Sequence, residues 1–339
     1  MQIGLCVKSI FGKGGIQKNY LLWFNMFKKR KIPVTLFVLE NPNINEDGII
    51  YLKGNSLKEK KLDLLNYLKK EKFNLFLLNA EYMKDIFKKA NQDYYITVHN
   101  TWEIKGFIFK RLKQKKRLLQ KYKNEKLIGI SKSVLDNITD NLNIPVKEKH
   151  VVYAPHNFEL VYKKANEKTI DDKFFIAVGS LIKRKNYSFL IKAFYKIHNK
   201  TDYNLYIIGD GEEKNNLQKL IKKLKLESRV KLLGYKENPY PYIKQAKLLL
   251  STSLSEGLPR VIVEALILHT PIVTTYSSKG VDEVMIEELE NFVVKKYDIN
   301  LFANKILDAL ENYPKITKKY YSKFSEENSF QKLIKLTKI

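Results

Sequence analysis

The chain has 339 residues, a formal net charge of +26 and one cysteine, Cys6. That length exceeds what one ordinary hydrophobic core serves, so two domains are expected. A single cysteine excludes a disulfide framework, no window approaches the ~18 apolar residues of a membrane span, and no basic segment with a long apolar stretch opens the chain, so a cytoplasmic protein is expected.

The apolar runs 3–7, 34–39, 75–78, 95–98 and 126–130 suit buried parallel strands, with helical patterns such as 20–29 and 57–70 between them. The polar stretch 159–173 reads as a linker. A second series of strand patterns follows at 174–178, 204–208, 230–233, 247–250 and 272–274. This alternation predicts doubly wound parallel sheets, whose ligands bind beyond the carboxyl ends of the strands. The loops after strands are therefore the places to look for chemistry.

The first such loop carries Gly12, Gly14 and Gly15, where backbone N–H groups can approach a phosphate closely. The loop His99-Asn100-Thr101-Trp102 offers an imidazole able to hydrogen-bond a ligand or serve as a structural histidine, and an indole able to give a ligand an apolar face or pack in the core. The loop from Gly179 to Asn186 places Lys183, Arg184 and Lys185 together, as phosphate ligands or as a solvated turn.

The most informative stretch is Glu256-Gly257-Leu258-Pro259-Arg260-Val261-Ile262-Val263-Glu264. Gly257, Leu258 and Pro259 read as a helix start, with Pro259 in the first turn, where its missing N–H costs nothing. Free N–H groups and the positive end of the helix dipole make that start a phosphate site. Glu264 stands among aliphatic residues, where a carboxylate is costly unless a donor or a charge meets it. Carboxylate, phosphate site, carboxylate follows the order sugar, pyrophosphate, ribose of a nucleotide sugar. The bland alternative is a capping Glu256 and a Glu264 paired with a core Lys or Arg.

Glu256 to Glu264 resembles the E-x7-E signature of the retaining glycosyltransferases of family 4, which adopt the GT-B fold. The likeness extends through Ile176–Leu181, Arg184–Asn186, Tyr206–Gly211, Val230–Tyr235 and Thr270–Thr275 in the expected order, and covers nearly all of the second half. In the first half it is carried by Gly14-Gly15-Ile16-Gln17, His99–Trp102 and Ile128-Gly129-Ile130-Ser131. The resemblance implies an α/β chain of two Rossmann-like doubly wound domains facing across a cleft. An acceptor-side domain would span 1–160, a donor-binding domain 161–318, and a C-terminal helix within 319–339 would pack back on the first domain.

The implied reaction is transfer of a hexosyl or N-acetylhexosaminyl group from a nucleotide-diphosphate sugar, with retention, to a glycan or lipid-linked acceptor. Glu256, Lys185 and His99 are the expected catalytic residues. Gly14, Gly15, Arg184, Lys185, Gly234, Gly257, Leu258, Pro259 and Glu264 are expected to bind the donor, with backbone groups after Gly234 recognising the base, uridine foremost. The family commonly has an arginine where this chain has Ser180, which leaves Lys185 as the main phosphate ligand and Arg184 as a substitute from the neighbouring turn. No Asp-x-Asp ends a strand pattern and no His/Cys cluster has metal-ligand spacing, so neither an obligatory metal nor another cofactor is expected.

Residues 1–170 hold 33 Lys and Arg against 16 Asp and Glu, the remainder 29 against 20. Nine cations and no acid lie between Lys105 and Lys123, with Ile104, Phe107, Ile108, Leu112, Leu119 and Tyr122 at helical spacing. Such a helix suits an anionic membrane surface, or is an ordinary helix with a solvated lysine face. No zinc-knuckle, K-homology or RNA-recognition motif accompanies the charge, so nucleic acid is not an expected partner. Two other classes stay open at this level: a nucleotide-sugar epimerase of the same fold, and a noncatalytic basic protein binding membrane or RNA.

Overall fold

The computed structural model describes residues 1–11, 15–40, 46–104 and 106–337, and divides into two units, Met1–His156 with Phe324–Ile339, and Asn157–Lys323. The first unit is built on seven strands: β1 (Ile3–Val7), β2 (Val34–Val38), β3 (Ile49–Tyr51), β4 (Leu75–Leu78), β5 (Tyr95–Val98), β6 (Lys126–Gly129) and β7 (Glu148–Val151). They pair in parallel in the order β3-β2-β1-β4-β5-β6-β7. Helices α1 (Gly15–Lys29), α2 (Leu57–Lys70), α3 (Lys84–Lys89), α4 (Ile108–Tyr122) and α5 (Lys132–Asp136) connect them. β1, β4 and β5 are buried throughout, as parallel strands covered on both faces must be. Tyr20, Trp23, Phe24 and Phe27 of α1 pack with Ile3, Leu5 and Val7 in one cluster.

The second unit repeats the plan with β8 (Phe174–Val178), β9 (Asn204–Ile208), β10 (Val230–Leu232), β11 (Leu248–Ser251), β12 (Ile272–Thr275) and β13 (Val293–Val294), ordered β10-β9-β8-β11-β12-β13. Its helices are α6 (Phe158–Ala165), α7 (Tyr187–Ile197), α8 (Lys214–Lys223), α9 (Tyr240–Gln245), α10 (Arg260–Ile267), α11 (Lys279–Asp282) and α12 (Ile299–Asn312). The strand order reverses between β8 and β11, the point at which open α/β sheets bind ligands beyond the strands' carboxyl ends. The loops leaving those two strands carry Lys185 and Glu256.

The last helix, α13 (Glu326–Ile334), belongs to the first unit. Arg30 at the end of α1 forks onto it, with Nη1 2.7 Å from Glu326 Oε1 and Nη2 2.8 Å from Glu327 Oε2. Phe330 packs edge-on to Phe27, and Leu333 is buried in the α1 cluster. Backbone hydrogen bonds from His156 N to Phe324 O and from Glu326 N to His156 O hold the start of this return segment.

The expected linker 159–173 is a correction: α6 occupies most of its first half. Asn157 caps the helix by accepting from Leu160 N, and Val161 and Ala165, four apart, are buried among the lysines. Two apolar positions on one face suffice to fix a short helix that a polar average hides. Edge strands also departed from expectation. β7 reads Glu-Lys-His-Val and is half-exposed, the charged composition that protects a sheet edge, while β3 and β13 are three and two residues long. Among the described residues no helix is long and apolar enough to cross a membrane.

Candidate active site

At the end of β8 the chain turns through Gly179, whose φ of 154° lies outside ordinary L-residue space. A Cβ there would stand 2.9 Å from the Tyr187 hydroxyl and 3.1 Å from Lys185 Cε, so glycine leaves room for the lysine to fold back over the strand end. A short 3-10 turn, Lys183–Lys185, and Asn186 in the left-handed region (φ 54°) then start α7. The turn is tied to the loop after β11. Leu254 N donates to Arg184 O at 2.8 Å, and Thr252 Oγ1 donates to the carbonyls of Lys185 and Asn186 at 3.1 and 3.2 Å.

These ties bring three charges together. Lys185 Nζ lies 2.5 Å from Glu256 Oε1, Arg184 Nη1 lies 3.1 Å from Glu256 Oε2, and the same guanidinium donates to Ser255 O at 2.6 Å. The Lys185 and Glu256 side chains are only 17% and 13% exposed. Burial pushes the Glu256 carboxyl up, but the Lys185 and Arg184 charges and hydrogen bonds from Lys185 and Ser253 outweigh it, and the group is held below the usual carboxylate range. Burial, then the Glu256 charge, pushes the Tyr187 hydroxyl well up, so it stays a neutral donor beside Gly179. Two cations meet one carboxylate, which leaves a positive balance there.

α10 begins immediately after Gly257 and Leu258. Pro259 is its N-cap, one position earlier than the first-turn place expected for it, and supplies no side-chain cap to the helix. The opening of α10 thus adds a positive dipole end to the Lys185–Arg184 pair. Five residues into the register, Glu264 is half-buried between buried neighbours Val263 and Ala265. Its negative charge, and then burial, pushes the Tyr240 hydroxyl well up, with Arg260 opposing. Arg260, Glu264 and Tyr240 therefore share one neighbourhood, and Arg260 Nη1 is buried with no hydrogen-bond partner among the described residues.

Gly234, with φ 70°, follows β10, and its carbonyl accepts from Gly209 N at 2.9 Å. Several participants gave weaker signals in the sequence. Arg260 stands four residues before Glu264, the spacing that makes helix neighbours, which was its available signal. Tyr187, Ser253 and Tyr240 carry no local pattern that marks them. Gly280, at the start of α11, lies against the site: a Cβ on it would sit 2.2 Å from Gly257 O.

The expected residues of the first unit lie elsewhere in the chain's organisation. His99 follows β5 and is 7% exposed, with Nε2 3.1 Å from Thr97 Oγ1, which is itself 2.9 Å from the Tyr20 hydroxyl. Its ring packs beside Tyr20 and Trp23 of α1. On the same helix Asn19 is 1% exposed and both ends of its amide lack a hydrogen-bond partner among the described residues, as does Trp23 Nε1. Trp102 is fixed through its backbone by Asn137, at 2.7 and 3.2 Å, and Lys121 caps its ring. Gly15 is the first residue of α1, with open space where a Cβ would point. Gly14 and Lys105 lie outside the described residues.

Comparison with known proteins accords with this geometry. Residues 160–328 match the family model "Glycosyl transferases group 1". A Campylobacter jejuni N-acetylgalactosamine-N,N'-diacetylbacillosaminyl-diphospho-undecaprenol 4-alpha-N-acetylgalactosaminyltransferase is 32% identical over 202 residues, 59% of this chain and 54% of that one. The chain thus spans about half the length of that curated relative. Among solved structures, the lipopolysaccharide outer core galactosyltransferase WaaB aligns over 100% of both chains with a TM-score of 0.74 at 19% identity. HepE of Anabaena, solved with UDP-glucose, aligns over 100% of this chain and 97% of its own, with a TM-score of 0.73 at 17% identity. The fold is that of the GT-B glycosyltransferases, and the segment holding Arg184, Lys185, Glu256 and Glu264 is the one that matches the group 1 glycosyl transferases.

Proposed function

We propose that the protein is a retaining glycosyltransferase of family 4 type. It moves a hexosyl or N-acetylhexosaminyl group from a nucleotide-diphosphate sugar, a UDP-sugar foremost, to a hydroxyl of a surface glycan, lipooligosaccharide or lipid-linked oligosaccharide. The observation that carries this reading is the convergence of Lys185 and Arg184 on Glu256 beside the start of α10. In the reaction the bond between the anomeric carbon and the diphosphate breaks and negative charge grows on the departing phosphate. Two preorganised cations and a helix N-terminus stabilise that charge. Arg184 takes the part of the arginine that the family has at Ser180.

Glu256 then faces the sugar, Glu264 the ribose, and the backbone after Gly234 the base. The reading is supported by the group 1 family match and by the UDP-glucose bound in HepE. The acceptor class follows the Campylobacter relative, whose name specifies a diphospho-undecaprenol-linked sugar. No obligatory metal is assigned, because Lys185 and Arg184 supply the countercharge that a divalent cation would.

A thermal-shift screen over nucleotide sugars tests the proposal. A cognate donor at ~100 times its dissociation constant adds ~2.7 kcal/mol to stability, and NMR of the product made from that donor reads the anomeric configuration. If no nucleoside diphosphate or nucleotide sugar raised the melting temperature, the donor site would be wrongly assigned. An inverted product would reject retention alone.

A further inference from the structure

The basic helix α4 does not use its apolar residues in the way its sequence suggests. Only its second half is seated: Leu118 is 5% and Tyr122 1% exposed, Lys84 Nζ donates to Gln120 O, and Lys121 pairs with Glu81. The first turn is different. Phe107 is 90%, Ile108 69%, Phe109 83% and Leu112 59% exposed, and these four lie within positions 107–112 at the start of the helix. Phe109, which is off the apolar stripe expected from spacing, is as bare as Phe107. Around them Lys110, Arg111, Lys113, Lys115, Lys116 and Arg117 form no ion pair among the described residues, and all six are exposed.

Two aromatic rings and two aliphatic side chains left in water cost free energy that nothing in the unit recovers. A solvated lysine face explains the six cations and leaves those four side chains unexplained. A single-stranded nucleic acid would meet the charge and stack bases on Phe107 and Phe109, but it offers no apolar medium for Ile108 and Leu112. An anionic bilayer meets both: acyl chains accept the apolar tip, and headgroup charge complements the cations flanking it. We propose that the first half of α4 is a peripheral membrane-docking element, in which Phe107, Ile108, Phe109 and Leu112 enter an anionic lipid surface and the six cations hold its headgroups. This goes beyond the glycosyl-transfer reading and does not depend on it.

The test is co-sedimentation of the full chain with vesicles of phosphatidylglycerol and phosphatidylcholine, against phosphatidylcholine alone. The wild type should pellet with the anionic vesicles, stay in solution with the neutral ones, and release as salt shortens the Debye length from ~10 Å at 0.1 M towards ~3 Å at 1 M. Replacing Lys113, Lys115, Lys116 and Arg117 by glutamine should weaken vesicle binding at least a hundredfold. Replacing Phe107 and Phe109 by serine should weaken it at least tenfold at unchanged charge. All six positions are exposed, so both variants should keep the wild-type melting temperature.

Several results would overturn the proposal. One is binding by the four-glutamine variant equal to wild type, and another is no loss in the Phe107→Ser, Phe109→Ser variant. A third is displacement of the wild-type chain from the anionic vesicles by single-stranded RNA at equal charge, which would make the helix a nucleic-acid surface. A fourth is loss of a dimer in sedimentation velocity on the serine substitutions, which would make a second copy the occupant.

Discussion

Lys185 Nζ and Glu256 Oε1 lie 2.5 Å apart although 71 residues separate them in the chain. The pair forms because β8 and β11 are neighbours at the point where the strand order reverses, so the loops leaving them meet. The contact also sets how Lys185 should behave when mutated. An ammonium already held by a carboxylate adds little to ground-state binding, yet gains as charge develops on a departing phosphate. Lys185→Ala should therefore lower kcat by about 100-fold while raising the donor dissociation constant less than tenfold. Arg184, 46% exposed and partly screened, should show a smaller loss of the same kind on substitution by alanine. Steady-state kinetics with donor titration separates the two effects, and a rise in KM at unchanged kcat would make the lysine a uniform binder.

How much of this was legible beforehand differs by residue, for physical reasons. Buried parallel strands such as β1, β4 and β8 are continuous apolar runs, and they were readable as such. Edge strand β7 was not, because an edge is protected by the charged residues that erase a strand's pattern. The helix α6 was hidden inside a polar stretch, since a short helix needs only Val161 and Ala165 to seat it. At the candidate site, Glu256 and Glu264 are legible from their spacing across one helix start, and Lys185 from its place in the family resemblance. Tyr240 and Gly280 reach the same place from other loops, and such contacts exist only once the sheet is assembled.

The two glutamates should be separable by ligand. Glu264 stands well inside α10 beside Tyr240 and Arg260, whereas Glu256 stands before the helix between two cations. Glu264→Gln is expected to weaken binding of the nucleoside diphosphate itself by about tenfold, in line with a charge-assisted hydrogen bond to a ribose hydroxyl. Glu256→Gln is expected to leave nucleoside diphosphate affinity within about threefold and to reduce turnover of the sugar. Calorimetric titration of each variant with nucleoside diphosphate and with nucleotide sugar decides between them. Equal losses for both ligands in both variants would reject the assignment.

Gly280 offers a test of packing behind the α10 start. An alanine Cβ would stand 2.2 Å from Gly257 O and 3.1 Å from Gly257 C, and backbone cannot yield as a flexible side chain does. Gly280→Ala should thus displace Gly257 and, with it, the opening of α10. The expected cost is about 1–3 kcal/mol of stability, with nucleoside diphosphate affinity reduced tenfold or more. Denaturant unfolding and calorimetry read the two quantities. Unchanged values for both would show that α11 can shift away without moving the site.

The depressed Glu256 carboxyl links the site to pH. A group whose folded-state pKa lies below its unfolded value adds stability that is fully present above the unfolded value and is lost as pH falls through the folded one. The ordinary carboxyl value is 4.5, so the contribution should be constant from neutral pH down to about 5 and fade below that. Glu256→Gln keeps the shape but not the charge, leaving Lys185 partly buried without its anion. The variant should be about 1–3 kcal/mol less stable than wild type at pH 7, the range for a buried polar group deprived of its partner. Other carboxyls also sit low, Glu148 through its hydrogen bond from His150 and Asp308 through that from Lys305, but they titrate in both proteins and cancel in the difference. Urea unfolding of the two proteins at a series of pH values between 7 and 3 should show a gap that holds and then closes. A gap that widened towards pH 3 would mean that the Glu256 carboxyl is raised by its burial, with Lys185 and Arg184 too weak to offset it.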